Sequence, residues 1–317
     1  MLNLVDTLRR LVRDDALSPL LEDPSDELLS VGRELAENPR TVRLPDGRQL
    51  SYGEVGDPDG EPVVAFHGVP SGRLGAAVLA ATAHDRGIRL IAPERPGVGE
   101  SDPDPNRELT DWSADVTALL DALDIDAAPV VGISGGGPYA LACGAVAPDR
   151  FPRVAVCCGV GPMAAIGRTE RLLFSAARYA PRLVGAFLSV EVLAARYAPE
   201  RTVERRVAAS APDDEALWRG PVGDLMLASM PSAVETHGVG AFVRDLQLYA
   251  GDWGFDLADI EVPVGLWYGR ADRTVPEAMG RYLLDAVPTA DGHFCAGQGH
   301  IGVVVENEAV ILDWLVE

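Results

Sequence analysis

Ser134 sits in Gly132-Ile133-Ser134-Gly135-Gly136, between the apolar run APVVGIS and a stretch of helical character from about Gly136 to Ala147. A serine held in a strained strand-to-helix turn presents its hydroxyl as a nucleophile. Glycines at 132 and 136 suit that turn, because a side chain at either place would collide with the neighbouring strand or helix. The helix beyond aims its first amides and positive end at the same spot. A Gly-rich turn can instead cradle a phosphate, but the chain has no lysine for a Walker motif and no GxGxxG here, so the nucleophile reading is preferred.

A serine nucleophile needs a base, and the base needs a group to orient it. His300, in Gln298-Gly299-His300-Ile301-Gly302, is the candidate base. Asp272, in Tyr268-Gly269-Arg270-Ala271-Asp272-Arg273-Thr274-Val275-Pro276, ends an apolar strand and can accept the Nδ1 proton of a histidine. Alone it could equally be a turn or cap residue. Asp252, Asp256 and Asp259 compete, but they precede that strand. His293 lies in a candidate final strand and reads as structural; His84 and His237 read as solvated or packing residues.

Acyl transfer also requires two N–H donors aimed at the developing oxyanion. The main-chain N–H groups of Val69, in Phe66-His67-Gly68-Val69-Pro70, and of Gly135 are assigned to that task. His67 reads as a tie for its loop. This chemistry calls for no metal and no organic cofactor.

The elements that must position these groups follow from the pattern. Residues 1–40 form an N-terminal helical extension, with Leu4, Leu8, Leu11 and Val12 at helical spacing and a second, weaker stretch from Leu28 to Leu35. A brace packed on the main domain is preferred over a membrane or oligomer contact, because Arg9, Arg10, Arg13, Asp14 and Asp15 mix both signs. From residue 41, TVRL, the turn PDG and RQLSYGEVG predict an antiparallel hairpin. Apolar runs PVVAFHG, IRLIAPE, APVVGIS and RVAVCCGVG then alternate with helical segments, near Leu74–Arg86, Thr110–Leu123 and Gly136–Ala147, which implies parallel strands buried on both faces. Residues 163–251 break the rhythm as a helical insertion rich in Met, aromatic residues and Pro. The sheet resumes with VPVGLWYGR and TADGHFCAGQGH, then a closing helix, so the core comprises 41–162 and 252–317.

These segments together resemble the α/β-hydrolase superfamily, in its serine-nucleophile branch with an HG-x-P oxyanion loop and a helical cap. Ala92-Pro93-Glu94-Arg95-Pro96-Gly97-Val98-Gly99-Glu100-Ser101 is similar to that family's D-R-P-G-x-G-x-S loop, with Glu94 where Asp is usual. The resemblance covers residues 41–317. It implies an eight-stranded, mostly parallel sheet, a cap inserted after the sixth strand, and Ser134, Asp272 and His300 as a triad in the chain order expected of the family. The N-terminal extension is a departure that the resemblance does not explain.

Composition bounds the partners. The 317 residues carry 48 acidic against 27 basic side chains, a formal charge of −21, which repels nucleic acid and anionic lipid surfaces. Every basic residue is Arg, and Asp outnumbers Glu 28 to 20, a balance suited to an acidic, hydrated surface in concentrated salt. Cys143, Cys157, Cys158 and Cys295 form no CxxC pair and read as buried packing thiols in a reducing compartment. The N-terminus lacks the apolar core of a signal peptide, and no apolar window is long enough to span a bilayer, so the protein is expected in the cytoplasm with no membrane partner.

The expected partner is a small-molecule substrate, with a homodimer left open. Met163, Phe174, Trp218, Met226, Met230 and Phe242 suggest an apolar pocket roof, although each singly is better read as core. The run Arg201–Arg206 could steer an anionic substrate; with Glu200 and Glu204 beside it, a solvated helix face is preferred. Ester, thioester, lactone and carbon–carbon bond hydrolysis stay open, as do a cofactor-free haloperoxidase or perhydrolase activity and a binding protein on the same fold. A serine nucleophile disfavours dehalogenase and epoxide hydrolase chemistry, which use a carboxylate.

Overall fold

The computed structural model describes residues 19–21, 26–165 and 168–317. Eight strands form one sheet: β1 (Arg40–Arg43), β2 (Gln49–Gly56), β3 (Glu61–Phe66), β4 (Ile88–Pro93), β5 (Val130–Ile133), β6 (Val154–Cys157), β7 (Val264–Gly269) and β8 (Ala290–Cys295). Their spatial order is β1-β2-β4-β3-β5-β6-β7-β8. β1 and β2 pair antiparallel as the hairpin pattern predicts, and β2 meets β4 antiparallel; all other pairs are parallel.

The helices, in chain order, are α1 (Glu27–Glu37), α2 (Ala80–Asp85), α3 (Asp111–Ala122), α4 (Gly137–Val146), α5 (Arg168–Tyr179), α6 (Pro181–Tyr197), α7 (Pro199–Ala209), α8 (Glu215–Trp218), α9 (Pro221–Val234), α10 (Gly240–Tyr249), α11 (Glu277–Ala286), α12 (Gly302–Val305) and α13 (Glu308–Val316). The segment expected as one helix from Leu74 opens instead as a 3-10 turn, Arg73–Leu79, before α2. Its start is fixed from outside, because Glu94 Oε1 accepts from the Arg73 N–H at 3.2 Å.

Alternation along a strand sends successive side chains to opposite faces. In β3, Val64 and Phe66 enter one core with Trp112, Tyr139, Val156 and Leu266, while Val63 and Ala65 enter another with Leu90, Ala155, Trp267 and Leu312. Burying one such Leu or Phe contributes roughly 1.5–3 kcal/mol, so both faces must be covered, and helices cover both. Hence β6 and β7 are buried at every position. A hairpin strand with one solvated face would alternate in burial, yet in β2 Leu50, Ser51, Tyr52 and Gly53 are all buried. α1 is the reason: a β-carbon on Gly53 would stand 2.4 Å from Leu35 Cδ2, so glycine admits that helix.

α1 is capped by Asp26, whose carboxylate accepts from the Leu29 N–H at 3.1 Å. It buries Leu29 and Leu35 with Leu74, Ala77, Leu225 and Ala228, and so wedges between the segment after β3 and α9. Arg73 secures it, donating from Nε to Leu35 O at 2.7 Å while Nη1 pairs with fully buried Glu94 at 2.7 Å. The stretch holding Leu4, Leu8, Leu11 and Val12 lies outside the described residues. Six helices, α5 to α10, run between β6 and β7 among the described residues, where the sequence predicts the insertion. No described helix is long and apolar enough to cross a membrane.

Candidate active site

The carboxyl ends of β3, β5, β6, β7 and β8 lie side by side along the sheet, and the loops leaving them converge. Ser134 follows β5 directly and has φ +54°. Left-handed backbone costs a residue with a β-carbon about 1–2 kcal/mol, and the two flanking glycines make the turn fit. A β-carbon on Gly132 would stand 2.5 Å from Gly136 O, and one on Gly136 would stand 2.3 Å from Phe66 O. Both glycines expected to be obligatory are therefore so, for reasons of backbone contact.

His300, in the loop after β8, places Nε2 at 3.1 Å from Ser134 Oγ and Nδ1 at 2.7 Å from Asp272 Oδ2. Asp272 follows β7 and its side chain is fully buried. Its other oxygen accepts from the N–H groups of Thr274 at 2.7 Å and Val275 at 2.9 Å, so it is a turn residue and a histidine partner at once. Asp252 and Asp256 serve local turns, accepting from Gly254 and Ala258. His293 stacks on Trp267 with centroids 4.7 Å apart, and His84 is exposed at the end of α2.

Val69 and Gly135 adjoin: a β-carbon on Gly135 would stand 2.8 Å from Val69 Cγ2, and one on Gly68 would stand 3.3 Å from Ser134 Cβ. Tyr249, from α10, donates to Gly135 O at 2.7 Å and pins the turn from behind. His67 is buried and joins its loop to the one after β4, with Nδ1 at 2.9 Å from Gly68 O and Nε2 accepting from the Arg95 N–H at 3.3 Å. Burial first, then the Arg95 charge, hold His67 well below the ordinary imidazole value, so it is neutral.

Ser134 and His300 open into a cavity of about 210 Å³. Its core side includes Gly68, Val69 and Ile133; its other side comes from the insertion, through Arg206, Trp218, Val222, Met226 and Met230. Of the residues expected to make an apolar roof, Trp218, Met226 and Met230 line it. Met163, Phe174 and Phe242 pack in or against the cores.

A family model for the alpha/beta hydrolase fold matches residues 61–306. The chain belongs to that family.

A non-heme chloroperoxidase of Streptomyces lividans is 35% identical over 127 residues, 39% of this chain and 45% of that protein. Three curated relatives, this chloroperoxidase among them, are matched over only 31% to 45% of their own length. A 2-hydroxy-6-oxononadienedioate/2-hydroxy-6-oxononatrienedioate hydrolase of Paraburkholderia xenovorans is 27% identical over 279 residues, 84% of this chain and 90% of that protein. Among solved structures, the enol-lactonase of Burkholderia xenovorans superposes with a TM-score of 0.63 at 21% identity, covering 88% of this chain and all of that one, a likeness of fold.

Within this alpha/beta hydrolase the sequence reading missed two site residues. Cys158, read as a packing thiol, is fully buried but has φ +45° and places Sγ 3.9 Å from His300 Nε2 and 3.5 Å from His300 O. Its position immediately beyond a parallel strand, as with Ser134, was the available signal. Burial works against a charge on His300; Cys158 and Asp272 favour it and prevail, holding its pKa well above the usual 6.5. Cys158, Asp272 and His300 also lie within metal-ligand reach of one another, but both ring nitrogens of His300 are already engaged with Ser134 and Asp272. The second residue is Arg206, which faces the cavity while its neighbour Glu204 pairs with Arg219 on the surface, so the charge run is not one solvated face.

The alpha/beta hydrolase loop with Glu94 in place of Asp is accommodated by a glycine. A β-carbon on Gly99 would stand 1.9 Å from Glu94 Oε2. The longer carboxylate thereby reaches Ser51 Oγ at 2.6 Å as well as Arg73.

Proposed function

We propose that the protein is a serine hydrolase that cleaves carboxylic esters of small, partly apolar substrates through an acyl-enzyme, with thioesters, lactones and carbon–carbon bonds next to a carbonyl within reach of the same machinery. The observation that carries this reading is the continuous relay from Ser134 Oγ to His300 Nε2 at 3.1 Å and from His300 Nδ1 to Asp272 at 2.7 Å, at the floor of a cavity.

In this mechanism His300 Nε2 takes the Ser134 proton as Oγ attacks the carbonyl carbon. The oxyanion develops against the N–H groups of Val69 and Gly135, whose rigidity comes from Tyr249 and the His67 tie. Asp272 fixes the tautomer and stabilises the imidazolium, which then protonates the leaving oxygen. Water enters, gives its proton to His300, and releases the acid. The helices α5 to α10 act as a cap, excluding bulk water from one side of the acyl group. Four free cysteines suit a reducing compartment such as the cytoplasm.

The test is hydrolysis of p-nitrophenyl butyrate by the wild type and Ser134→Ala, with labelling by a fluorophosphonate probe. Turnover and labelling that both vanish in Ser134→Ala are expected. Turnover retained in the variant would remove Ser134 from the chemistry. A second reading, favoured by the likeness to a chloroperoxidase, has hydrogen peroxide in place of water release a peracid from the same acyl-enzyme. Peroxide-dependent peracid formation from a carboxylic acid would reveal it.

A further inference from the structure

In a chain with 48 acidic and 27 basic residues, the cavity above Ser134 is lined by two arginines, Arg73 and Arg206, and by no described Asp or Glu. Arg73 is fully engaged, with Nη1 on Glu94 at 2.7 Å, Nε on Leu35 O at 2.7 Å and Nη2 on Ala36 O at 3.1 Å. Arg206 is not. Its Nη2 reaches Glu191 at 3.1 Å, but its Nε–H is buried and has no partner among the described residues. Glu191 is shared with Arg205, also at 3.1 Å, so two guanidinium groups face one carboxylate and one positive charge is left over.

Burial pulls Arg206 below its ordinary value, Glu191 opposing and Arg205 adding to the effect. A guanidinium stays protonated inside proteins, and although the Arg206 side chain is about one-third exposed, its buried Nε–H is left for a partner that the cavity itself must bring, which an anion supplies. Its surroundings suit one: the guanidinium lies 5.9 Å from the Trp218 ring centroid, and Ser210, which also lines the cavity, accepts from Trp218 Nε1 at 2.9 Å and keeps its own O–H to donate. A single surplus charge matches a carboxylate better than a phosphate dianion.

We propose that Arg206, with Ser210, binds a carboxylate on the substrate, so that this hydrolase acts on esters carrying a free carboxylate at the end remote from the scissile carbonyl. The proposal rests on the serine-hydrolase reading for its ester, but not for its anion. Arg206 is a specificity-determining residue of the cavity, and the remainder of the acyl chain lies along Val222, Met226 and Met230.

The experiment compares the mono-p-nitrophenyl ester of adipic acid with p-nitrophenyl hexanoate, of equal chain length, in wild type, Arg206→Gln and Glu191→Gln, each checked for an unchanged fold by circular dichroism. The ratio of kcat/KM for the charged over the neutral ester is expected to fall about tenfold or more in Arg206→Gln, as loss of a charged hydrogen bond requires. It should rise in Glu191→Gln, where the competing carboxylate is gone. A ratio that Arg206→Gln leaves unchanged overturns the proposal.

Calorimetry on Ser134→Ala with monomethyl adipate, dimethyl adipate and inorganic phosphate tests the anion site without turnover. Tighter binding of the monoester anion than of the diester, lost when Arg206→Gln is added, supports the site. Equal binding of mono- and diester, or preference for phosphate, sinks it. If no ester is cleaved by the wild type, the hydrolase reading fails, while the calorimetric arm still decides the carboxylate site.

Discussion

Arg95, in the loop after β4, and Asp245, on α10 of the insertion, pair at 3.0 Å with both side chains fully buried. The same guanidinium donates to His67 O at 2.6 Å and Gly68 O at 3.0 Å, so the pair joins the insertion to the backbone just before Val69. Asp245 also takes Arg107 and Tyr139, each at 2.6 Å. One carboxylate therefore compensates two buried cations behind the His67–Gly68 backbone.

Removing it should be severe. Asp245→Ala leaves Arg95 and Arg107 buried without a counter-charge, and such losses cost about 3–5 kcal/mol. Urea unfolding should show that drop. A change under about 1 kcal/mol would mean that water enters and screens both cations.

In the proposed mechanism His300 sets the pH dependence. Only its neutral form can take the Ser134 proton, and its pKa is held above the usual 6.5, so kcat/KM should rise with pH along a limb centred above 6.5. Cys158→Ala removes a group that favours the charged imidazole, and the limb should move to lower pH. A pH profile of Cys158→Ala identical to wild type would separate the thiol from the base.

Asp272→Asn keeps the turn, since a side-chain oxygen can still accept from Thr274 and Val275, but an amide cannot hold the imidazole in the same way. The expected outcome is a fall in kcat of about ten-thousand-fold with little loss of stability. Steady-state kinetics beside a thermal melt checks both.

Gly32 on α1 is where the N-terminal helix meets α9: a β-carbon there would stand 2.5 Å from Leu225 Cδ1. Gly32→Leu should cost about 1–3 kcal/mol by overpacking. Because Met226, next to Leu225, lines the cavity, the chain-length profile on p-nitrophenyl esters should shift as well. A destabilised variant with the wild-type profile would confine the extension to bracing.

Salt should stabilise. With a formal charge of −21, screening of carboxylate repulsion predicts a melting temperature that climbs as sodium chloride is added. A flat response would point to coding bias as the source of the Arg-only, Asp-rich composition.

The sheet and the spatial meeting of Ser134, Asp272 and His300 were legible in the residue pattern. Each of these residues follows a strand at once or within a few positions, and parallel strands bring all their carboxyl ends to one edge, so local pattern plus topology suffices. Turn glycines carried similar information, since the spacing of Gly132 and Gly136 around Ser134 reports contacts within a few residues and with the adjoining strand. Long-range packing, which no local pattern encodes, brings Cys158 to His300, turns Arg206 from a charged helix into the cavity, and lays α1 between the segment after β3 and α9. Those outcomes depend on how helices of mixed polarity pack across long sequence separations. Helical periodicity states which face is apolar; it does not state which neighbour that face will meet.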